Sequence, residues 1–424
     1  MTPRARTLSL ALGTGIAAAA LHLVILRNGI WFTPDSWAYW EGSVSILRGE
    51  GYQWFHGSPV QRWPPLFSCY LAAWQWLLGV SGETLRVAMV VSTGVGATIW
   101  VVFLSATMRP GRVTAWCCVF LIAMFAQVTR HLMAESLTMI FLPVLLLLSV
   151  HASEASTRPR FMTLSLLAAL VCAMLLLTKL VCASFACAVV VSSVLNRSMG
   201  RGTRVAACAL FAIVALAPAL IAKFTLATEW IYPVGVGVAK HGPVEYLFQI
   251  ARGFGDRFAP APLGVVVWLF VAAVGVSRLT PDPGRARVRI CVAFCVLTTI
   301  VMYAMFNLTW IFAELKGRFL YFVPLLTGAT ILMVVHTIAN TRLRAVLIVL
   351  IVALPVGKTI KYVIKGRAPA TTMSDEKALE SHFIRARFTI DPSYTASPPR
   401  LRDDGKLLVS TPGADWVETQ MRAK

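Results

Sequence analysis

Four ionisable side chains stand at the ends of apolar segments, where a membrane surface would gather them on one side. Asp35 follows the first apolar block, Glu135 opens a later block, Lys179 separates two apolar stretches, and Arg318 begins another. A lysine beside membrane segments is costly unless it meets water or an anion. Cations that neutralise phosphate, together with an acid that takes a proton from an incoming hydroxyl, suit a reaction with a negatively charged, lipid-linked leaving group.

Each of these residues also has a purely structural interpretation. Asp35 lies where the N-cap of a helix reaching to about residue 48 is expected. Glu135 has two such interpretations, since it is placed to cap its own helix or to pair with Arg130. Arg130 and Arg318 are placed to bind ordinary lipid phosphates by snorkelling. Position favours the chemical interpretation, because a lipid-borne substrate presents its head group at the membrane surface.

The elements that must position these residues are membrane spans. Hydrophobic residues make up 57% of the 424 positions and charged residues only 14%, which is too little charge to cover a soluble protein of this length. The apolar residues fall in blocks of roughly 15 to 25, the length that crosses a bilayer as a helix. Backbone groups in lipid must be satisfied within the segment. The predicted fold class is therefore an all-α polytopic membrane protein.

The net charge of +20 is distributed as in a membrane protein and gives no reason to expect nucleic acid as a partner. Short loops that alternate along the chain carry most of the excess, which is the positive-inside signature. The loops predicted to be cytoplasmic hold two acids, Glu154 and Asp282, against 15 arginines. Those arginines are Arg4, Arg6, Arg109, Arg112, Arg158, Arg160, Arg197, Arg201, Arg204, Arg278, Arg285, Arg287, Arg289, Arg342 and Arg344.

About eleven spans satisfy this charge pattern, with the N-terminus cytoplasmic and the C-terminus extracytoplasmic. The block at 64–79 is predicted to be an interfacial helix instead, because a crossing there would invert every later basic loop. It belongs to a first outer loop, 28–83, which holds another helix at about 34–48. The predicted spans are 7–27, 84–107, 113–129, 135–151, 161–178, 180–195, 204–227, 262–277, 289–306, 318–338 and 344–362.

Two units follow from this topology: a transmembrane domain over 1–362 and a small extracytoplasmic segment over 363–424. The segment is predicted to form a small cap or a partly disordered tail, with one short strand at 406–410. At the other end, the first block is either a signal peptide or a retained span. A retained span is favoured, because the apolar stretch is long and no small-residue cleavage site follows Ala17–Ala20.

The nine cysteines predict neither a disulfide framework nor a zinc site. Eight of them lie in apolar blocks, and Cys69 lies on the predicted interfacial helix. None forms a Cys-x-x-Cys pair in a polar loop. We expect small apolar packing residues.

Four segments, taken in order, resemble the GT-C superfamily of membrane glycosyltransferases. The resemblance is greatest to the family-39 group, which includes protein mannosyltransferases and lipid A aminoarabinose transferases. The segments are Pro34-Asp35-Ser36-Trp37-Ala38-Tyr39 with Leu47-Arg48-Gly49, then Trp63-Pro64-Pro65-Leu66, Leu177-Thr178-Lys179, and Gly317-Arg318-Phe319-Leu320-Tyr321-Phe322-Val323-Pro324.

The resemblance implies an integral (inner) membrane enzyme whose active face is extracytoplasmic. Such an enzyme moves a sugar from a polyprenyl-phosphate donor to an acceptor glycan, lipid or protein by an inverting single displacement. Asp35 matches the first-loop acid that activates the acceptor, and Lys179 matches the lysine that contacts the carrier phosphate. Arg318 and Arg62 are predicted to bind the same phosphate. Glu135 falls where the family often has an aspartate.

The chain departs from the family pattern at Ser36, where many relatives carry a second acid. We therefore predict no required metal and no cofactor. Arg62 lies one place before the position at which many relatives have a basic residue. Glu135, Tyr39, Arg130, His131 and His241 are predicted to support acceptor or sugar binding. The two histidines also fit as ordinary surface residues.

Two other functions remain compatible with the sequence. One is a transporter or flippase, although the repeated halves and midplane charges typical of transporters are not evident. Most charges lie at the ends of the predicted spans, with Lys223 as a candidate inside a helix. The other is a membrane subunit without chemistry, which Ser36 keeps open.

Overall fold

The computed structural model describes the chain in several stretches. They comprise residues 2–28, 30, 34–53, 60, 63–107, 112–128, 132–179, 182, 185–186, 190, 196, 198–225, 332, 335, 338–365, 400–401 and 407–408. The helices in this part are α1 (Pro3–Ile25), α2 (Pro34–Leu47), α3 (Leu66–Leu78), α4 (Gly82–Thr107), α5 (Arg112–Val128), α6 (Glu135–Ser153), α7 (Arg158–Thr178), α8 (Arg201–Thr225) and α9 (Thr341–Lys365). Predicted spans 262–277, 289–306 and nearly all of 318–338 lie outside the described residues, as does most of 180–195.

Six of the described helices are long and apolar enough to cross a bilayer, namely α1, α4, α6, α7, α8 and α9. Together with the 17-residue α5, they confirm the helices predicted over seven of the spans. The span of α6 is 61% buried within the protein, whereas those of α8 and α9 are each 24% buried. Helix α6 therefore lies in the interior of the bundle, and α8 and α9 present broad apolar faces to lipid.

Helices α1 and α4 form a close antiparallel pair. A Cβ on Gly15 would lie 2.0 Å from Thr98 Oγ1 and 2.6 Å from the Gly94 carbonyl oxygen, so only glycine fits there. Small residues allow such backbone approach in membrane helices. Nearer the other end of the contact, the buried His22 Nδ1 lies 2.7 Å from Thr93 Oγ1. The chain between these two helices, 28–82, thus begins and ends at the same end of the pair.

Helices α6 and α7 are also antiparallel. Glu135 at the start of α6 contacts Lys179 at the end of α7, and Phe161 near the start of α7 packs with Ala152 and Ala155 at the far end of α6. Asn196 lies at that far end, where its side chain donates to the carbonyl oxygens of Ala152 and Ala155. We call the two ends of this helix pair the Lys179 end and the Asn196 end.

Helices α2 and α3 are held at the Lys179 end by a hydrophobic group that we call the loop cluster. Its residues come from the end of α1, from α2 and α3, and from the starts of α4 and α6. They are Leu26, Ile30, Tyr39, Trp40, Val44, Phe67, Leu71, Leu85, Ala88, Met89, Leu132, Ala134 and Leu137. Burying these side chains fixes the two loop helices against the spans, since each large apolar side chain contributes about 1.5–3 kcal/mol.

A second contact fastens the loop between α2 and α3. Gly42 of α2 leaves room for the ring of Tyr52, because a Cβ on residue 42 would lie 2.4 Å from Tyr52 Cε2. The Tyr52 hydroxyl donates to the Trp63 carbonyl oxygen at 2.9 Å. Burial raises the pKa of Tyr52 above its ordinary value, so the hydroxyl stays protonated as a donor.

Helix α3 is shorter than a span and exposes Trp76, Leu77 and Leu78 at its end. Its opposite face is buried, with Phe67 and Leu71 in the loop cluster. Gln75 Nε2 donates to Ser43 Oγ at 2.6 Å and joins α3 to α2. These contacts agree with the helix predicted at 64–79; that it lies along the membrane surface stays a prediction.

The fold is helical as predicted, and the segment over 363–424 adds one short strand pair. Two short strands, β1 (Arg400–Leu401) and β2 (Leu407–Leu408), pair antiparallel, with Arg400 opposite Leu408. Strand β2 lies inside the single strand predicted at 406–410. The sequence analysis missed its partner because a strand of two residues leaves no alternating pattern to read.

Candidate active site

The Lys179 end brings together two of the predicted site residues. Lys179 Nζ donates to Glu135 Oε1 and forms an ion pair with it. The Glu135 side chain is only 1% exposed and that of Lys179 12%. The pair answers one question left open by the sequence: Glu135 interacts with a lysine from another helix, and the N-cap of α6 is Ala134, without a side-chain cap.

Helix geometry explains why these charges sit at these positions. Glu135 is the first residue of α6, where the helix dipole favours a negative charge. Lys179 is the C-cap of α7, where the dipole favours a positive charge. Its backbone is extended, and its N–H still donates to the Leu175 carbonyl oxygen at 2.9 Å. The antiparallel packing of the two helices places the complementary charges side by side.

The carboxylate of Glu135 is only half engaged. Its Oε2 atom is buried and has no hydrogen-bond partner; it is the one such carboxylate oxygen in the described stretches. Neighbouring hydroxyls are satisfied locally, because Ser136 Oγ donates to the Met133 carbonyl oxygen and Thr178 Oγ1 to that of Met174. A buried, unpaired acceptor is costly, which makes Oε2 a place where a donor from a bound molecule would be stabilised.

A thiol completes the surroundings of the pair. Cys182 is buried, its N–H donates to the Lys179 carbonyl oxygen at 3.0 Å, and its Sγ lies 3.9 Å from Thr138 Oγ1. Both contacts hold Cys182 beside the ion pair. The part of the chain that the structure describes contains no group of three or more His, Cys, Asp or Glu able to hold a metal ion.

The other predicted residues are placed less completely. Asp35 lies in the first turn of α2, which the loop cluster holds near the start of α6, but its side chain is outside the described part. Tyr39 is 2% exposed and packs edge-on against Phe67, with ring centroids 5.0 Å apart. Arg62, Arg130, His131, His241 and Arg318 lie outside the described residues.

Sequence reasoning missed a second acid in α2. Glu41 is 2% exposed, on the loop helix that also carries Asp35. A buried carboxylate must be paired or neutralised. The signal was available, because Glu41 stands among small and apolar residues from Ser36 to Val44.

The fold and the site together define an integral membrane protein with a buried charge pair at one end of its helix bundle. No protein-family model matches the sequence, and no curated protein matches it. Among solved structures, the fold is similar to that of ArnT from Cupriavidus metallidurans.

The likeness extends over most of the chain. The apo structure of ArnT is 14% identical and matches over 89% of this chain and 68% of ArnT, with a TM-score of 0.56. The structure bound to undecaprenyl phosphate is 12% identical and matches over 97% of this chain and 72% of ArnT, with a TM-score of 0.57. The likeness shows that this chain shares the overall fold of ArnT.

Proposed function

We propose that this protein transfers a sugar from a polyprenyl-phosphate donor to an acceptor at the extracytoplasmic membrane face, by an inverting single displacement. The observation that carries the proposal is the buried Glu135–Lys179 pair at one end of a GT-C bundle. The undecaprenyl phosphate bound to the structurally similar ArnT supports a carrier of that class.

Lys179 is assigned to the carrier phosphate. An ammonium group has three N–H donors, and the ion pair with Glu135 holds that of Lys179 in place. In a site shielded from water, a fixed positive charge stabilises the phosphate that departs with the lipid. The sugar's anomeric C–O bond to that phosphate breaks as the acceptor oxygen bonds to the same carbon, and the electron pair leaves with the phosphate.

Asp35 is assigned to the acceptor. In this scheme its carboxylate removes the proton of the attacking hydroxyl, and Arg62 and Arg318 add positive charge around the phosphate. Glu135 Oε2 accepts a hydrogen bond from a hydroxyl of the bound sugar or acceptor, which satisfies the buried oxygen. Arg130, His131 and His241 complete the proposed binding surface, while the buried Tyr39 packs against Phe67 and supports the helix that carries Asp35.

The test neutralises the ion pair without leaving a lone buried charge. Replacing both members of a buried pair is often close to neutral for stability, whereas removing one is not. The E135Q/K179M double variant should therefore fold but lose sugar transfer from undecaprenyl-phosphate sugars, assayed with purified protein and with membranes. Asp35→Asn should lose transfer while still binding undecaprenyl phosphate.

A matched control is present on α4. Glu83 and Arg86 form a more exposed ion pair, with Arg86 Nη1 3.2 Å from Glu83 Oε1. The E83Q/R86M variant removes the same two charges and should transfer sugar like the wild type. Wild-type transfer by E135Q/K179M would overturn the assignment of Lys179. A wild type that binds the carrier but transfers none of the tested sugars would favour a transporter or a non-catalytic subunit.

A further inference from the structure

A cavity of about 300 Å³ lies between α1, α5 and α9. It shares no lining residue with α6 or α7, so it is separate from the candidate active site. Its position near the C-terminal ends of α1 and α9 places it toward the membrane surface rather than at the middle of the spans. Its lining includes Leu21, Ile122, Ala123, Val356, Ile360 and Val363.

The walls of this cavity offer an apolar surface. Its only hydroxyl belongs to Thr359, whose Oγ1 lies 2.9 Å from the Ala123 carbonyl oxygen and 2.9 Å from that of Pro355. That hydroxyl joins α9 to α5 instead of facing a ligand. A volume of about 300 Å³ is at the lower limit for small-molecule sites, which suits a length of hydrocarbon chain rather than a whole lipid.

The rim of the cavity is positively charged. Arg27 reaches from the end of α1 to α9, where Nη2 donates to the Val363 carbonyl oxygen at 3.3 Å, while Nη1 donates to that of Val24 at 3.5 Å. Among the described residues Arg27 has no acidic partner. The exposed Lys361 adds charge nearby, and α9 contains no acid at all.

We propose that this cavity binds one acyl chain of an anionic phospholipid, whose phosphate is held by Arg27. The guanidinium has five N–H donors, of which the two backbone contacts use two, and its planar shape suits two phosphate oxygens at once. Those two contacts also fix the group at the mouth of the cavity, so little freedom is lost on binding. Anionic lipid is favoured over the sugar carrier, because Glu135 and Lys179 lie on other helices.

The experiment measures lipid binding to the full-length protein in detergent by native mass spectrometry and by thermal stabilisation. The probes are phosphatidylglycerol, phosphatidylethanolamine with the same acyl chains, and undecaprenyl phosphate. We expect phosphatidylglycerol to bind more tightly than phosphatidylethanolamine. Arg27→Gln should weaken phosphatidylglycerol binding about tenfold, the effect of losing hydrogen bonds to a charged group, and should bring the two phospholipids close together.

Two further variants separate the chain from the head group. Ile360 is 53% exposed and lines the cavity, so Ile360→Trp should fill the cavity without disturbing the core and weaken both phospholipids equally. Arg6→Gln, at the opposite end of α1, is the matched control and should bind like the wild type.

Three results would overturn the proposal. The first is equal binding of the two phospholipids by the wild type, and the second is no effect of Arg27→Gln. The third is undecaprenyl phosphate binding that depends on Arg27 when phosphatidylglycerol binding does not. Sugar transfer that survives in Arg27→Gln would leave the proposed function intact, so the two proposals fail separately.

Discussion

The two ends of the α6–α7 helix pair are joined by polar contacts of opposite character. At the Asn196 end, the amide Nδ2 donates to the carbonyl oxygens of Ala152 and Ala155 at 2.8 and 3.0 Å. The amide oxygen accepts from the backbone N–H and the hydroxyl of Ser198. At the Lys179 end, two full charges meet and one buried oxygen of Glu135 is left over.

This difference separates structure from chemistry within one helix pair. At the Asn196 end, the neutral amide group bonds to carbonyl oxygens at the end of α6, so that its hydrogen-bonding groups are occupied and not available to a ligand. The charged pair is costly to bury, and the unpaired oxygen of Glu135 is stabilised only when a ligand donates a hydrogen bond to it. Buried polarity therefore identifies a candidate site only where its bonding capacity is incomplete.

The largest expected effect comes from removing one charge of the pair. Lys179→Met should lower the free energy of unfolding by about 3–5 kcal/mol, because Glu135 is left charged and alone in the interior. Adding Glu135→Gln should restore most of that loss. Thermal unfolding of the single and double variants measures these changes in the free energy of unfolding. A single variant as stable as the wild type would show that the pair is solvated and that the Lys179 and Asn196 ends do not differ as described.

A second prediction concerns ligand-induced stability. Undecaprenyl phosphate at a hundred times its Kd should stabilise the wild type by about 2.7 kcal/mol. The E135Q/K179M variant should show almost none of this shift, whereas Asn196→Ala should keep it. Carrier titrations followed by thermal unfolding measure the effect. An unchanged shift in E135Q/K179M would place the carrier elsewhere.

Asn196→Ala should cost about 2 kcal/mol of stability, since it removes two buried hydrogen bonds, those to the carbonyl oxygens of Ala152 and Ala155. Sugar transfer per folded molecule should nevertheless equal that of the wild type. Folded protein is quantified by size-exclusion chromatography and initial rates are then compared. A loss of transfer greater than the loss of folded protein would contradict a purely structural role for this end.

The smallest effect is expected from Tyr52, a saturated polar group on the same side as the charged pair. Tyr52→Phe should cost about 1 kcal/mol through the lost bond to Trp63. Burial raises the pKa of Tyr52 in the folded state, so its stabilisation is complete below the unfolded value of roughly 10 and falls as pH rises beyond it. The gap between wild type and variant should thus narrow above that pH. A constant gap would mean that Tyr52 is solvated.

Hydropathy and length predicted most of the described helices, because the bilayer imposes one dominant requirement on a span. The short apolar helix at Leu66–Leu78 was also predicted, from its aromatic content and from the charge pattern. The pairing of β2 with β1 was not, since the two strands together contain only four residues.

The candidate site was predicted in its residues and not in its contacts. Glu135 and Lys179 were placed on one side by topology, yet their pairing depends on how far each helix extends and how it is rotated about its axis. No periodic pattern encodes those two quantities. Glu41 was overlooked because an acid in a loop helix is expected to face solvent, and only the packing of the folded protein shows that it is buried. The roles of Asp35, Arg62 and Arg318 stay predictions.

Through its close contact with α4, helix α1 affects the position of the loop helices α2 and α3, although most of α1 does not contact them. Gly15 sets the spacing of α1 and α4. Helix α4 also carries Leu85, Ala88 and Met89, which pack against the loop helices α2 and α3. A larger side chain at Gly15 would push α4 away from α1 and so displace the α4 residues against which α2 packs. We therefore expect variation at this glycine among functional sequences to be as restricted as variation in the first outer loop, 28–83.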